Sequence, residues 1–290
     1  MTAMLLDGKA LAQKVRNRLK ARIADLKKKT GEAPGLAYLV VDNDPVSAHY
    51  VAGKTRACEE VGVKSFVYPY PADMSERALL ERIDELDIRP DVHGMLVQLP
   101  LPPQINVHAV LEHINPDKDA DGFHPYNRGH LFSASPSIAP CTPKGIMLLL
   151  KENGIEVAGK RVVILGRSLV VGRPLSMLML GADATVTICH RKTRNLPEIT
   201  RSAEILVAAI GQPRFVTAEH VSPGAVVVDV GINVVDGKLT GDVDFDAVSE
   251  IASAISPVPG GVGPMTVAML IDNTVSLFER RVLRGRPEKV

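Results

Sequence analysis

The sequence predicts an α/β protein with two α/β domains around a cleft, the second built on a doubly wound parallel sheet. Short apolar runs alternate with helical stretches along most of the chain, which is typical of a mostly parallel sheet with crossover helices. A segment at 115–143, rich in Pro, Gly, Ser and Asn, interrupts this alternation and predicts a domain boundary. The 290 residues are enough for two domains of ordinary size.

Composition excludes several classes of partner. Charged residues make up 23% of the chain and the net charge is +1, so no broad basic field favours nucleic acid or an anionic membrane. No apolar run approaches the roughly 20 residues of a membrane span. Cys58, Cys141 and Cys189 form no C-x-x-C pair, and we expect them to be small buried residues in a reducing compartment. We therefore expect a cytoplasmic protein with no membrane or nucleic-acid partner.

The first half predicts one domain over 1–120, completed by 270–290. A helix is predicted over 9–29, where apolar residues recur at intervals of three and four. Further strands are predicted at 35–42, 63–70 and 92–100, and further helices around Tyr50, at Ser75–Ile88 and at Val107–Ile114. A final helix, from about Met265 to Arg281, is expected to pack on this first domain.

The second half predicts another domain over 140–269. "CTPKGIMLLLKENG" (141–154) has Thr142 as a candidate N-cap and Pro143 at the first helical position. Four strands follow, at 161–166, 184–190, 204–211 and 225–233. Their nearly continuous apolar runs are typical of strands covered on both faces.

A glycine loop follows the first of these strands. "VVILGRSLVVGRPL" leads from a strand through Gly166 into a helix, where free backbone N–H groups and the positive helix end can hold a dinucleotide pyrophosphate. The loop has the form G-x-S-x-x-x-G. The alternative is an ordinary strand-to-helix turn, which also uses glycine. Gly211 and Gly231 end the third and fourth strands, so glycines line the edge of a Rossmann-like sheet.

The end of the second strand favours NADP over NAD. An NAD enzyme places an acid there for the ribose 2′-hydroxyl, but the residues are "ICHRKT", with Arg191 and Lys192. Arg191, with Arg167 in the glycine loop, can form charge-assisted hydrogen bonds with a 2′-phosphate. A solvated basic turn is the alternative explanation.

Tyr50 and Lys54 are four residues apart in a predicted helix, so both side chains can reach one site. A lysine there can take and give protons. Two ordinary residues on a helix face are the alternative. Gln98 ends a strand beside prolines in "GMLVQLPLPP", and Asp121 lies in "PDKDADGFHP" at the domain junction. Both are expected to face a cleft between the halves.

Six motifs together resemble those of the bifunctional methylenetetrahydrofolate dehydrogenase/cyclohydrolase family, in that family's order and over nearly the whole chain. They are "KTRACEEVG", "VQLPLP", "PDKDADGFHP", "PCTPKGIM", "GRSLVVGRPLSMLML" and "PGGVGPMT". The resemblance implies an enzyme that oxidises 5,10-methylenetetrahydrofolate with NADP and then adds water to give 10-formyltetrahydrofolate. It also implies a homodimer.

The resemblance further implies roles for individual residues. Lys54 is the main catalytic residue, Tyr50 stacks on or orients the folate, Gln98 partners Lys54, and Asp121 holds the pterin ring. The implied substrate-binding residues are Tyr50, Lys54, Gln98, Leu99, Asp121, Pro259, Gly260 and Gly261. The implied cofactor-binding residues are Gly166, Arg167, Ser168, Arg191, Thr193, Gly211 and Ile232.

Two other functions compete with this one. The first is a dehydrogenase with weak or absent cyclohydrolase activity, and the second is a catalytically silent protein that binds folate and NADP. Retention of Tyr50, Lys54, Gln98 and Asp121 favours an enzyme. We expect no metal site, because the histidines are scattered and "NPDKDADG" lacks the glutamate that closes a calcium loop.

Overall fold

The computed structural model describes residues 3–42, 45–133 and 138–284, with secondary structure alone at 45–50 and 283–284. These residues divide into two compact units, which we name by their sheets. The three-strand unit contains 14–42, 45–129, 138–139 and 267–284, and the six-strand unit contains 3–13, 130–133 and 140–266.

The helices and strands alternate along both units. In chain order the first are β1 (Met4–Leu5), α1 (Gly8–Thr30), β2 (Gly35–Val41), α2 (Pro45–Val61), β3 (Lys64–Tyr70), α3 (Glu76–Asp87), β4 (Gly94–Val97), α4 (Val107–His113) and α5 (Pro125–Gly129). They are followed by α6 (Cys141–Glu152), β5 (Arg161–Leu165), α7 (Gly172–Leu180), β6 (Thr185–Cys189), α8 (Leu196–Arg201), β7 (Ile205–Ala208), a 3-10 turn (Ala218–His220), β8 (Val226–Asp229), β9 (Asn233–Val235), β10 (Lys238–Thr240), α9 (Phe245–Ser249), β11 (Ala254–Ile255) and α10 (Val262–Arg284).

The three-strand unit has β2 at the centre of a parallel sheet, between β3 and β4. All seven residues of β2 are buried, because the strand has neighbours at both edges and cover on its faces. Helix α3 packs Leu79, Ile83 and Leu86 into this core, and Ser75 caps its start by accepting a hydrogen bond from Ala78 N at 3.2 Å. The carboxyl ends of the three parallel strands thus lie at one edge of the sheet, and Gln98 directly follows β4 there.

The six-strand unit holds a parallel sheet in the order β1-β11-β8-β7-β5-β6. Strand β5 lies inside the sheet, and the next two strands of the chain pair with opposite edges of it, β6 with one and β7 with the other. This reversal of direction is a topological switch point, and it opens a crevice outside the carboxyl ends of β5 and β7. A separate antiparallel hairpin, β9-β10, turns at Asp236 and Gly237, which have φ of 50° and 73°.

Most predicted elements are confirmed. The predicted strands correspond to β2, β3, β4, β5, β6, β7 and β8, and the predicted helices to α1, α2, α3, α4, α6 and α10. Helix α10 is three residues longer at each end than predicted. Strand β1 joins the sheet of the six-strand unit, whereas the predicted division assigned the first 120 residues to the other domain.

Two local predictions were wrong. Strand β6 is not covered on both faces, since it is the edge strand beside β5 and, of its five residues, Cys189 is the buried one. Thr142 is not the N-cap of α6, because the helix begins at Cys141 after Pro140. The Thr142 hydroxyl instead lies 2.9 Å from that of Thr266.

The three cysteines are free and buried, as predicted. Within the described ranges, no helix has the length and apolar character needed to cross a bilayer.

Candidate active site and cofactor site

Lys54 and Gln98 meet at the carboxyl edge of the three-strand sheet. Lys54, half-buried on α2, donates a hydrogen bond from Nζ to Gln98 Oε1 at 2.9 Å. Gln98 follows β4 directly, and its backbone N–H donates to Leu39 O at 2.9 Å, so it prolongs the pairing of β2 with β4. Gln98 Nε2 donates to the Leu99 carbonyl at 2.8 Å. Because both ends of the Gln98 amide are engaged, its carbonyl oxygen is held toward Lys54.

Tyr50 lies one helical turn before Lys54 in α2. Its side chain is outside the described part of the structure, so its predicted role stays a prediction. Leu99 is half-buried and begins the cis Leu99–Pro100 peptide.

The half-buried Asp121 sits on a loop organised by a neighbouring carboxylate that sequence analysis missed. Asp119 is 2% exposed, and Oδ1 accepts hydrogen bonds from the backbone N–H groups of Gly122 and Phe123 at 2.9 and 3.1 Å. Its Oδ2 accepts from His124 N at 2.8 Å and Asn127 Nδ2 at 2.9 Å. The Asp119-to-Gly122 spacing is a turn signal in which an aspartate accepts from following N–H groups, and it could have identified Asp119.

A parallel bridge pairs Asp119 with Met95 of β4. Asp121 and Val97 are each two residues further along, so the loop carries Asp121 toward the edge at which Gln98 lies. The structure therefore brings Lys54, Gln98 and Asp121 to the carboxyl side of one small sheet.

Pro259, Gly260 and Gly261 lie in the six-strand unit. Gly260 has a φ of 111°, and its carbonyl accepts from Lys9 N at 2.8 Å. A Cβ at position 261 would lie 2.6 Å from the Pro257 carbonyl oxygen. The tight turn between Pro257 and Gly261 thus accounts for the glycine at 261, beside any role in folate binding.

The predicted cofactor residues all follow the carboxyl ends of adjacent strands. The loop with Gly166, Arg167 and Ser168 follows β5, and Arg191 and Thr193 follow β6. Gly211 follows β7 and Ile232 follows β8. The structure therefore brings these seven residues to one edge of the sheet, across the switch point.

Gly166 shapes the crevice between β5 and β7. Its φ is 115°, and a Cβ there would lie 2.1 Å from the Ala209 carbonyl oxygen. A side chain is thus excluded by both conformation and space. Ser168 Oγ accepts from Val171 N at 3.0 Å and from Gly172 N at 3.4 Å, which orders the entry into α7. Gly172, in the quoted motif, is as crowded as Gly166, since its Cβ would lie 2.1 Å from the Gly166 carbonyl oxygen.

Exposed basic side chains flank this crevice. Arg167 and Arg191 are both exposed. The turn that carries Arg191 is closed by Thr193, whose hydroxyl accepts from His190 N at 2.9 Å. Gly166 N donates to Cys189 O at 2.9 Å, so the loops after β5 and β6 are direct neighbours. Two arginines on neighbouring loops are suited to charge-assisted hydrogen bonds with an anion.

Two models of one family match the chain in sequence. The catalytic domain of tetrahydrofolate dehydrogenase/cyclohydrolase matches residues 6–121, and its NAD(P)-binding domain matches residues 140–282. Among curated relatives, the bifunctional protein FolD of Halalkalibacterium halodurans is 54% identical over 275 residues, which cover 95% of this chain and 98% of that protein.

Solved structures of the same family are similar to this chain in fold and in sequence. The bifunctional FolD enzyme of Campylobacter jejuni has a TM-score of 0.94 and 47% identity, over 96% of this chain and 99% of that one. The N5,N10-methylenetetrahydrofolate dehydrogenase-cyclohydrolase of Trypanosoma brucei was solved with NADP and an inhibitor. It has a TM-score of 0.94 and 39% identity, over 97% of this chain and 99% of that one. These matches confirm the resemblance noted in the sequence motifs. The chain belongs to the tetrahydrofolate dehydrogenase/cyclohydrolase family.

Proposed function

We propose that Lys54 and Gln98 are the chemical centre of the two reactions of this enzyme. The first reaction oxidises 5,10-methylenetetrahydrofolate to the methenyl form with NADP, and the second hydrolyses the methenyl form to 10-formyltetrahydrofolate, both within one-carbon metabolism. Membership in a family of bifunctional enzymes supports the two activities. The observation that carries the residue assignment is the 2.9 Å hydrogen bond between Lys54 Nζ and Gln98 Oε1.

Lys54 serves the hydrolysis by moving protons. Water attacks the cationic methenyl carbon and gives one proton to Lys54 Nζ. The ring C–N bond then breaks as the new hydroxyl loses its proton and becomes the formyl oxygen. Lys54 returns one proton to the released ring nitrogen, and the second proton leaves to solvent. A base positioned in this way typically contributes about 10²- to 10⁴-fold. Gln98 keeps Nζ in place, since its own amide is fixed by Leu99 O and its backbone by Leu39 O.

The folate ring is held by Asp121 and Tyr50 in this proposal. A carboxylate accepts hydrogen bonds from the N–H groups of a pterin, and the loop that carries Asp121 is ordered by four hydrogen bonds to Asp119. Tyr50, one helical turn from Lys54, supplies a ring surface. Leu99 and the segment Pro259–Gly261 complete the proposed folate-binding residues.

NADP fits the carboxyl edge of the six-strand sheet. The loop that begins at Gly166 leads into the start of α7, where the positive end of the helix can hold a pyrophosphate. The exposed Arg167 and Arg191 lie on neighbouring loops suited to a 2′-phosphate. When bound, NADP accepts the hydride. The chain's contribution to this step is to orient the two rings, which Ser168, Thr193, Gly211 and Ile232 support in this proposal.

The proposal includes a division into domains. We assign the folate-binding and catalytic domain to 1–120 with 270–290, and the cofactor-binding domain to 140–269. Residues 3–13 belong to the six-strand unit by their contacts, and Pro259–Gly261 are proposed folate-binding residues within the second range. The free, buried cysteines suit a reducing compartment, and we place the protein in the cytoplasm. A homodimer, without nucleic acid or membrane partners, is proposed from the family resemblance and the near-neutral net charge of +1.

Separate assays of the two reactions test the proposal. Lys54→Gln should lower methenyl hydrolysis by about 10²-fold or more and methylene oxidation much less, because the hydride moves directly between the rings. Lys64→Gln is the matched control, since Lys64 is an exposed lysine at the opposite, amino-terminal end of β3. Unimpaired hydrolysis by Lys54→Gln would make Lys54 an ordinary residue of a helix face.

A further inference from the structure

A pair of buried aspartates lies under the loops at the carboxyl edge of the six-strand sheet. Asp229 is the last residue of β8 and Asp242 follows β10, with exposures of 3% and 0%. Burying carboxylates without partners is costly. Their hydrogen bonds therefore show which backbone segments the two carboxylates hold in place.

The Asp242 carboxylate accepts hydrogen bonds from the loop that follows β7. Oδ2 accepts hydrogen bonds from Ile210 N and Gly211 N at 2.7 and 2.9 Å. Oδ1 accepts from Gln212 N at 2.9 Å and from Asn233 Nδ2 at 3.0 Å. One carboxylate thus binds three consecutive backbone N–H groups of one loop and the side chain of Asn233, the first residue of β9 and the neighbour of Ile232.

Asp229 holds Asp242 in position. Its Oδ1 accepts from Asp242 N and Gly231 N, both at 2.9 Å, and its Oδ2 accepts from Val243 N at 3.0 Å. Its own backbone N–H donates to Ser256 Oγ at 2.8 Å. Burial, together with the nearby Asp242, raises the pKa of Asp229 to about 6.

Two glycines make room for the pair. A Cβ at position 231 would lie 2.3 Å from Asp242 Oδ1, and one at position 241 would lie 1.9 Å from Asp229 Oδ2. Any side chain at either position would displace a carboxylate. The carboxylates and the glycines therefore form one packed arrangement.

We propose that Asp242, seated by Asp229, is a positioning residue for NADP, because it fixes the two loops that carry Gly211 and Ile232. The inference rests on the proposed cofactor site, in which those two residues contact NADP. Asp242 acts through the loops and touches neither substrate nor cofactor. Its effect should therefore appear in NADP affinity, while hydrolysis of the methenyl form, which uses no cofactor, stays intact.

Asp242→Asn tests this with little change in shape. Each carboxylate oxygen faces two donors, so either orientation of the new amide points its NH₂ group at two N–H donors. We expect the dissociation constant for NADP and the KM for NADP to rise at least tenfold. Dehydrogenase kcat at saturating NADP should change less than threefold, as should cyclohydrolase activity measured without NADP.

Asp236→Asn is the matched control, because Asp236 is an exposed aspartate in the β9-β10 turn whose φ of 50° suits asparagine. It should leave NADP affinity within twofold of the parent.

Unchanged NADP affinity in a folded Asp242→Asn protein would overturn the inference. If that variant does not fold, Asn233→Ala, which removes the bond to Asp242 and one to Thr240 O, decides: a rise in the KM for NADP with intact hydrolysis supports the inference, and no rise overturns it. Failure of the parent protein to bind NADP or hydrolyse the methenyl form would instead overturn the proposed function.

Discussion

Lys54 Nζ and Gln98 Oε1 lie 2.9 Å apart and join helix α2 to the residue that follows strand β4. The amide oxygen is neutral, so it orients Nζ without fixing its charge as a carboxylate would. A proton-transferring lysine needs both forms within reach. The identity of residue 98 should therefore control the pH dependence of hydrolysis.

Gln98→Glu places a negative charge beside Lys54 with almost no change in shape. An opposite charge within about 4–6 Å typically shifts the pKa of a group by about one unit or more toward its charged form. The pH-rate profile of methenyl hydrolysis should therefore move to higher pH by about one unit. Gln98→Met, which removes the acceptor without adding charge, should lower the rate and leave the profile in place. Identical profiles for Gln98→Glu and the parent would contradict the role of Lys54 in proton transfer.

Asp119→Asn should weaken folate binding. Each Asp119 oxygen faces two N–H donors, so the amide leaves buried donors unpaired at a cost of about 1–3 kcal/mol in folding free energy. The loop with Asp121 loosens as a result, and we expect the KM for methylenetetrahydrofolate to rise about tenfold.

Steady-state kinetics and NADP titration check this change. NADP affinity should hold, because the proposed cofactor residues lie in the six-strand unit. Asp117→Asn, an exposed aspartate of the same loop, is the control. Equal losses of folate and NADP binding in Asp119→Asn would indicate general unfolding instead.

Arg191→Asp should discriminate between the two nicotinamide cofactors. A carboxylate at the end of β6 repels a 2′-phosphate and accepts from a ribose 2′-hydroxyl. The KM for NADP should rise at least tenfold and that for NAD should change much less. Lys151→Asp, the same charge change at an exposed residue of α6, is the control. Equal changes for NADP and NAD would refute the role of Arg191.

His93 should make the three-strand unit sensitive to acid. Its Nδ1 accepts from Gly35 N at 3.0 Å, and burial, with Arg281 and Lys118 nearby, lowers its pKa to about 4. The neutral form is favoured in the folded state, so its stabilising effect is complete above the unfolded value of about 6.5 and is lost as pH falls toward 4.

His93→Asn keeps an acceptor for Gly35 and removes the titration. From pH 7 to pH 4, the parent should lose more unfolding free energy than His93→Asn does, by an amount on the order of 3 kcal/mol. Urea denaturation at several pH values measures this difference. A constant difference across that range would show that His93 does not titrate on unfolding.

Sequence analysis located the candidate residues better than it explained how they are held. The helix predicted at Ser75–Ile88 is α3, and such a helix can be predicted because capping and helical periodicity act over a few residues. Strand β1 gave no such signal, since it has two residues and pairs with Ala254 and Ile255. The exposure of β6 was likewise missed, because an apolar run does not show whether a strand lies at an edge.

What the sequence by itself determined is the alternation of strands and helices, the family, and the set of candidate site residues, because these depend on local patterns and motif order. The tertiary structure alone decided the supporting contacts. Asp242 binds Gly211, 31 residues earlier in the chain, and Lys54 binds Gln98, 44 residues later. Such pairs form only when parallel strands bring their carboxyl ends to one edge, and no short stretch of sequence records which donors a buried carboxylate or amide will meet there.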